Sequence, residues 1–182
     1  MTDGVPPSFW SWFARGSGGK PGYRRLINCW LIIHIGLGGF LAFVVQVDLQ
    51  TAANTVLLPL VGILIGLCFA WGGNAQALLQ TDELEEMTKF HEGGYAEYVY
   101  TYQAAIFAIL VTLVAWALAG FGSFDKAWPT ESKQAWYFLV KNFLFTLSSL
   151  TIRECWHVVL GAQWMLLTRH EIRQSKRNKN KN

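Results

Sequence analysis

Four apolar runs, each near the length a helix needs to cross a hydrocarbon core, dominate this 182-residue chain. About 20 helical residues suffice for one crossing. The runs cover 26–47, 55–73, 104–121 and 136–157, and polar connections separate them. They define an all-α fold class: an integral membrane four-helix bundle with short cytoplasmic helical extensions. The implied layout is a cytoplasmic leader over 1–25, a four-span bundle over 26–168 containing a cytoplasmic hairpin at 74–103, and a basic cytoplasmic tail over 169–182. Composition supports it, because charged residues make up only 15% of the chain against about 25% in soluble domains. A disordered chain, a disulfide scaffold and a secreted soluble enzyme are thereby excluded. The polar leader is too long for a cleaved signal, so the first run reads as an uncleaved span.

Orientation follows from the lysines and arginines of short loops. Arg15, Lys20, Arg24, Arg25, Lys89, Arg169, Arg173, Lys176, Arg177, Lys179 and Lys181 fall on one side, and only Lys126 and Lys133 on the other. The bias places both termini in the cytoplasm of a multi-pass inner-membrane protein. Trp10, Trp12, Trp30, Trp71 and Trp164 fall near the inner face, and Trp116, Trp128 and Trp136 near the outer face, as an interfacial belt would. In the leader, Phe9-Trp10-Ser11-Trp12-Phe13 after Ser8 reads as an interfacial aromatic anchor with Ser8 as helix N-cap.

Two helices outrun the bilayer. The second continues past Gly73 into an acidic stretch with Leu84, Met87 and Phe90 near helical spacing, broken at Gly93-Gly94. The fourth has no Gly or Pro from Glu131 to Leu160 and can run to about Arg173. It allows two registers. With 136–156 in the membrane, Lys141 snorkels outward and Arg153, Glu154 and His157 sit at the inner boundary. With 143–164 in the membrane, Arg153 lies near the centre, at about 2.5–3.5 kcal/mol. The first register is favoured, and it leaves Val158, Val159, Leu160, Trp164, Met165 and Leu166 in need of cover.

The strongest chemical pattern is a polar stripe on the fourth helix: Asn142, Thr146, Ser149, Arg153 and His157, stepping by three or four residues along one face. Such a stripe either lines a water-filled path or bonds neighbouring spans together. Arg153 and Glu154, being adjacent, point to different faces, so each calls for another partner. Glu83, Glu85 and Glu86 of the hairpin are the acidic candidates for Arg153, as a structural ion pair or as a gate. Gly62 with Gly66, and Gly38 with Ala42, carry the small-xxx-small spacing that lets helix backbones approach closely.

Cys29, Cys68 and Cys155 form no C-x-x-C and are odd in number, which argues against structural disulfides and thiol–disulfide catalysis. A zinc site with His157 has only similar depth in its favour. A b-type haem between His34 and His157 meets a mismatch in depth. No cofactor and no metal are therefore expected. No phosphate-binding loop, HExxH or nucleophile elbow occurs, so no catalytic residue is assigned and an enzyme is not expected. The basic tail suits anionic lipid headgroups and lacks the aromatic interleaving of nucleic-acid binders.

The leading expectation is a homo-oligomeric channel or pore-type effector controlled from its cytoplasmic face. The alternatives are a non-conducting anchor or sensor that recruits a cytoplasmic protein partner, and a b-haem electron carrier. Four spans with both ends inside is a plan similar to that of many small bacterial membrane proteins, oligomeric pores and membrane subunits of anti-phage defence systems among them. That similarity is one of plan alone.

Overall fold

A computed structural model describes residues 8–16, 21–79, 94–126 and 133–179. Those residues are all-helical, without a strand. In chain order they form α1 (Phe9–Arg15), α2 (Tyr23–Leu26), α3 (Trp30–Val44), α4 (Leu49–Ala52), a π-helical turn (Ala53–Leu57), α5 (Leu58–Leu79), α6 (Gly94–Gly120), α7 (Ser123–Lys126) and α8 (Lys133–Lys179). Among the described residues two stretches, Leu49–Gly73 and Val99–Gly120, are long and apolar enough to cross a membrane.

The first expected span is shorter than the apolar run that suggested it. α3 has 15 residues, about 22 Å at 1.5 Å per residue. It ends at Val44, and Lys141 of α8 reaches across and donates to the carbonyls of Val45 and Val47, just past that end. Those carbonyls follow the helix end, where partial negative charge collects. Lys141 is thus buried against backbone oxygen and does not snorkel to water. The chain then turns at Asp48, whose carboxylate accepts from the Thr51 N–H at 2.8 Å and caps α4.

The π-helical turn has a local cause. Pro59 has no N–H, and its ring crowds the carbonyl four residues back, that of Thr55. Widening the ladder, with the Leu58 N–H bonded to the Ala53 carbonyl, carries the helix past this point without a break.

α8 is the centre of the architecture. Its 47 residues extend about 70 Å, and α3, α5 and α6 all pack against it. One seam of α8 is buried throughout: Leu144, Ser148, Thr151, Cys155, Val158, Ala162 and Met165, alternating steps of four and three as in a coiled-coil seam. Trp116, fully buried, stacks edge-on against Phe145 at 5.6 Å in the cluster that also holds Leu49, Ala53 and Leu144. The extension beyond His157 is only half covered. Val158, Ala162 and Met165 are buried, while Leu160, Trp164, Leu166 and Leu167 are exposed.

α1 is capped as its sequence suggests, with the Ser8 hydroxyl accepting from the Ser11 N–H at 3.3 Å. It is held by protein as well as by any surrounding phase. Trp12 is 0% exposed, lies 5.5 Å from the Tyr100 ring, and rests on Gly22, where a Cβ would come within 2.6 Å of the indole. Trp10 remains exposed and meets Phe107 edge-on at 5.6 Å.

Candidate functional site

The polar stripe of α8 meets α3. Gly38 makes this possible, since a Cβ there would lie 2.2 Å from Thr146 Oγ1 and 2.8 Å from the Asn142 carbonyl oxygen. Ala42, also buried, continues the small face. With the two backbones this close, His34 Nδ1 and Ser149 Oγ share a hydrogen bond at 2.7 Å. Thr146 Oγ1 donates to Asn142 Oδ1 at 3.2 Å and lies 3.4 Å from the His34 carbonyl oxygen. The Gly38–Ala42 pair therefore packs within the chain. Gly62 and Gly66 face open space instead, with nothing within 4 Å of a Cβ built on either.

One turn further along, Arg153 and Glu154 form a pair with each other. Arg153 Nε and Nη2 donate to Glu154 Oε1 at 2.9 and 2.6 Å. The expectation that Arg153 and Glu154 point to different faces and each need another partner is thus corrected: the long Arg153 side chain folds back across the helix surface to Glu154. Side-chain exposures of 15% for Arg153 and 1% for Glu154 make this a buried pair. Arg153 Nη2 also donates to the Arg25 carbonyl at 2.9 Å, which ties the leader to α8 just before α3 begins. Arg25 itself donates to Thr101 Oγ1 of α6 at 2.7 Å. Arg153 Nη1 is buried without a partner. Glu83, Glu85 and Glu86 lie outside the described residues.

His157, the last residue of the stripe, is exposed. It lies eight residues beyond Ser149, the residue that faces His34, or about 12 Å along the axis. Among the described residues no three His, Cys, Asp or Glu side chains converge on one point.

A second polar set, on the seam facing α5 and α6, escaped the sequence reading. Thr112 and Thr151 share a hydrogen bond at 2.7 Å, and Trp116 Nε1 donates to Ser148 Oγ at 2.8 Å. Tyr102 donates to the Cys68 carbonyl at 3.1 Å, over Gly72. The Cys68 thiol donates to Cys155 Sγ at 3.4 Å. The signal for this set was the run of small and polar residues Ser148, Thr151 and Cys155, stepping by three and four, offset by one position or two from the more conspicuous stripe. Compared with known proteins, the chain matches no family model, no curated protein and no solved structure.

Proposed function

We propose that this chain is a four-span inner-membrane protein with both termini cytoplasmic that acts as a non-conducting anchor, presenting the end of α8 to a cytoplasmic protein partner. The observation that carries the reading is the occupation of the polar stripe by α3. Asn142, Thr146, Ser149 and Arg153 bond to one another, to α3 or to the leader, so these groups serve packing of the kind that polar residues commonly perform between spans. α3 and α8 count as spans alongside the two long apolar stretches. α3 is extended at both ends by the leader and by residues 45–47, and α8 crosses with its 136–157 segment. The exposed apolar belt supports this assignment: Ile32, Ile33, Phe40 and Phe43 on α3, Ile63 and Phe69 on α5, Val114 and Leu118 on α6, and Leu139 and Phe143 on α8. Surfaces of this kind suit acyl chains. The level of Arg153 beside Arg25, where the leader turns into α3, favours its place at the inner boundary. Past that boundary Leu160, Trp164 and Leu167 remain exposed, and they are the surface offered to the partner.

A homo-oligomeric channel is the competing reading. It draws on the open Gly62–Gly66 face of α5, which suits self-association, but needs a polar path that the stripe no longer supplies. Flux through reconstituted proteoliposomes separates the two. The anchor passes no ions, and Leu160→Asp with Leu167→Asp abolishes a crosslink from position 164 to the partner while assembly persists. An ion flux that changes with Asn142→Leu or Ser149→Ala overturns the anchor in favour of the channel.

A further inference from the structure

Cys68 and Cys155 oppose one another across the contact between α5 and α8, both buried and with their sulfurs 3.4 Å apart. Val61 and Ile109 complete the buried cluster, and Leu64, Ile65 and Leu113 pack around it. The anchor reading makes no use of this pair. Inert filler cysteines pack against alkyl groups and need no second thiol. Here two thiols from helices 87 positions apart in sequence meet inside an apolar shell.

We propose that Cys68 and Cys155 form an oxidisable dithiol, a modification site at which a peroxide joins α5 covalently to α8. The sulfur of one thiol attacks a peroxide oxygen, the O–O bond breaks, and the thiol proton passes to the departing oxygen. With hydrogen peroxide this gives a sulfenic acid and one water. The opposing thiol then attacks that sulfur, the S–S bond forms, and the oxygen departs as a second water. The two sulfurs lose two electrons together, and the peroxide accepts both. Hydrogen peroxide suits the site because it is small and uncharged, whereas a charged oxidant would pay the desolvation cost of entering an apolar shell.

The geometry needs little adjustment. A disulfide has sulfurs about 2.05 Å apart, so closing the present gap takes about 1.4 Å, divisible between two side chains. The second step is fast once the first has occurred, because the resolving thiol is already in contact. Its structural effect is specific. Cys155 follows Glu154, which holds Arg153, and Cys68 offers its carbonyl to Tyr102 of α6. Oxidation therefore pins α5 to α8 at the layer where the leader, α6 and the buried ion pair meet. Cys29 is exposed at the start of α3 and takes no part.

The test uses the full chain in lipid nanodiscs, with Cys29→Ser so that two thiols remain. After hydrogen peroxide, denaturation and maleimide labelling, both thiols disappear together. The unlabelled mass falls by two hydrogens, a peptide linking Cys68 to Cys155 appears, and dithiothreitol reverses all three changes. The oxidised protein also melts at higher temperature, since the bond closes a long loop in the unfolded chain. In Cys29→Ser with Cys155→Ser, or with Cys68→Ala should the first fail to elute as a single species, no linked peptide forms. Retention of both thiols after peroxide overturns the proposal. Linkage by copper–phenanthroline alone then shows that the thiols meet but that peroxide does not convert them. Loss of one thiol without the other, or linkage only between copies, overturns it equally.

Discussion

Gly38→Ala measures how tightly α3 is seated on the polar stripe. The added Cβ would lie 2.2 Å from Thr146 Oγ1 and 2.8 Å from both the Asn142 carbonyl oxygen and Asn142 Oδ1. Thr146 and Asn142 can rotate, but the carbonyl belongs to the α8 backbone and cannot. Restoring ordinary contact of about 3.4 Å therefore requires the helices to part by about half an ångström or more, a strain typical of overpacking at about 1–3 kcal/mol. Separation also lengthens the 2.7 Å bond between His34 and Ser149, in the same direction. Gly39→Ala is the control, because its Cβ meets Asn142 only at 3.8 Å. For a chain of this size 1 kcal/mol shifts the melting midpoint by about 2–4 °C. Gly38→Ala is expected to melt about 2–12 °C below the parent, followed by size-exclusion elution of heated detergent samples. Gly39→Ala should stay close to the parent. Equal midpoints for Gly38→Ala and the parent would show that α3 does not rest on Asn142 and Thr146, and the packing account of the stripe would fail with it.

Three other outcomes follow from the same contacts. Arg153→Leu strands the Glu154 carboxylate, which is 1% exposed, at about 3–5 kcal/mol, while Arg153→Leu with Glu154→Leu recovers most of that loss; thermal melts of the two variants in one detergent decide this. Thr112→Val and Thr151→Val, taken through a double-mutant cycle, should couple by about 0.6 kcal/mol and by no more than about 1.7, and additive losses would remove the Thr112–Thr151 bond from the account. The Thr51 backbone N–H and then its side-chain bond hold the Asp48 carboxyl below the ordinary carboxylate range. Its stabilisation of the α4 cap is thus complete above the unfolded carboxylate pKa and lost as pH falls through the lowered folded value. Melting curves recorded from neutral to acid pH should show an acid-side decline in the parent that is smaller in Asp48→Asn; parallel declines would exclude this cap as a cause.

The apolar runs were enough to locate the long helices, because their length and uniform hydropathy depend on no partner. The stripe of Asn142, Thr146, Ser149 and Arg153 was likewise legible as one face, because 3.6-residue periodicity is local. What lay opposite that face was not legible. Gly38 and Ala42 were marked as a close-approach surface, yet nothing in the sequence joins them to Asn142 and Thr146 about a hundred positions later. The Arg153–Glu154 pair was misread for a different reason. Cα–Cβ directions do diverge between neighbours, but the guanidinium sits four bonds beyond Cβ and can return to the adjacent carboxylate once both are enclosed. Lys141 was expected in water because a lone lysine near a span end usually snorkels. The two carbonyls it found belong to a helix end whose position became fixed only when α3 packed.

The two polar faces of α8 bear directly on how this chain could work. A helix that lined a path would keep one of its polar faces wet. Here Asn142, Thr146 and Ser149 are taken up by α3 on one side, and Ser148 and Thr151 by α6 on the other. α8 therefore acts as the post against which the other helices are registered, through hydrogen bonds whose directionality fixes rotation in a way that dispersion between Leu and Val does not. Tyr137, whose hydroxyl oxygen accepts from the Leu49 N–H at 2.9 Å, and Lys141 at the end of α3 hold one end of the bundle; Arg153, with Arg25 and Glu154, holds the other. Between them lie about 16 residues of α8, or about 24 Å, close to the thickness of a hydrocarbon core. Beyond Arg153 the buried seam continues through Cys155, Val158, Ala162 and Met165. A helix fixed in rotation within the bundle and extending from it with Leu160, Trp164 and Leu167 exposed delivers that apolar edge in one orientation. The proposed anchor rests on that geometry, and the competing channel would need a flux through the stripe that begins by expelling α3.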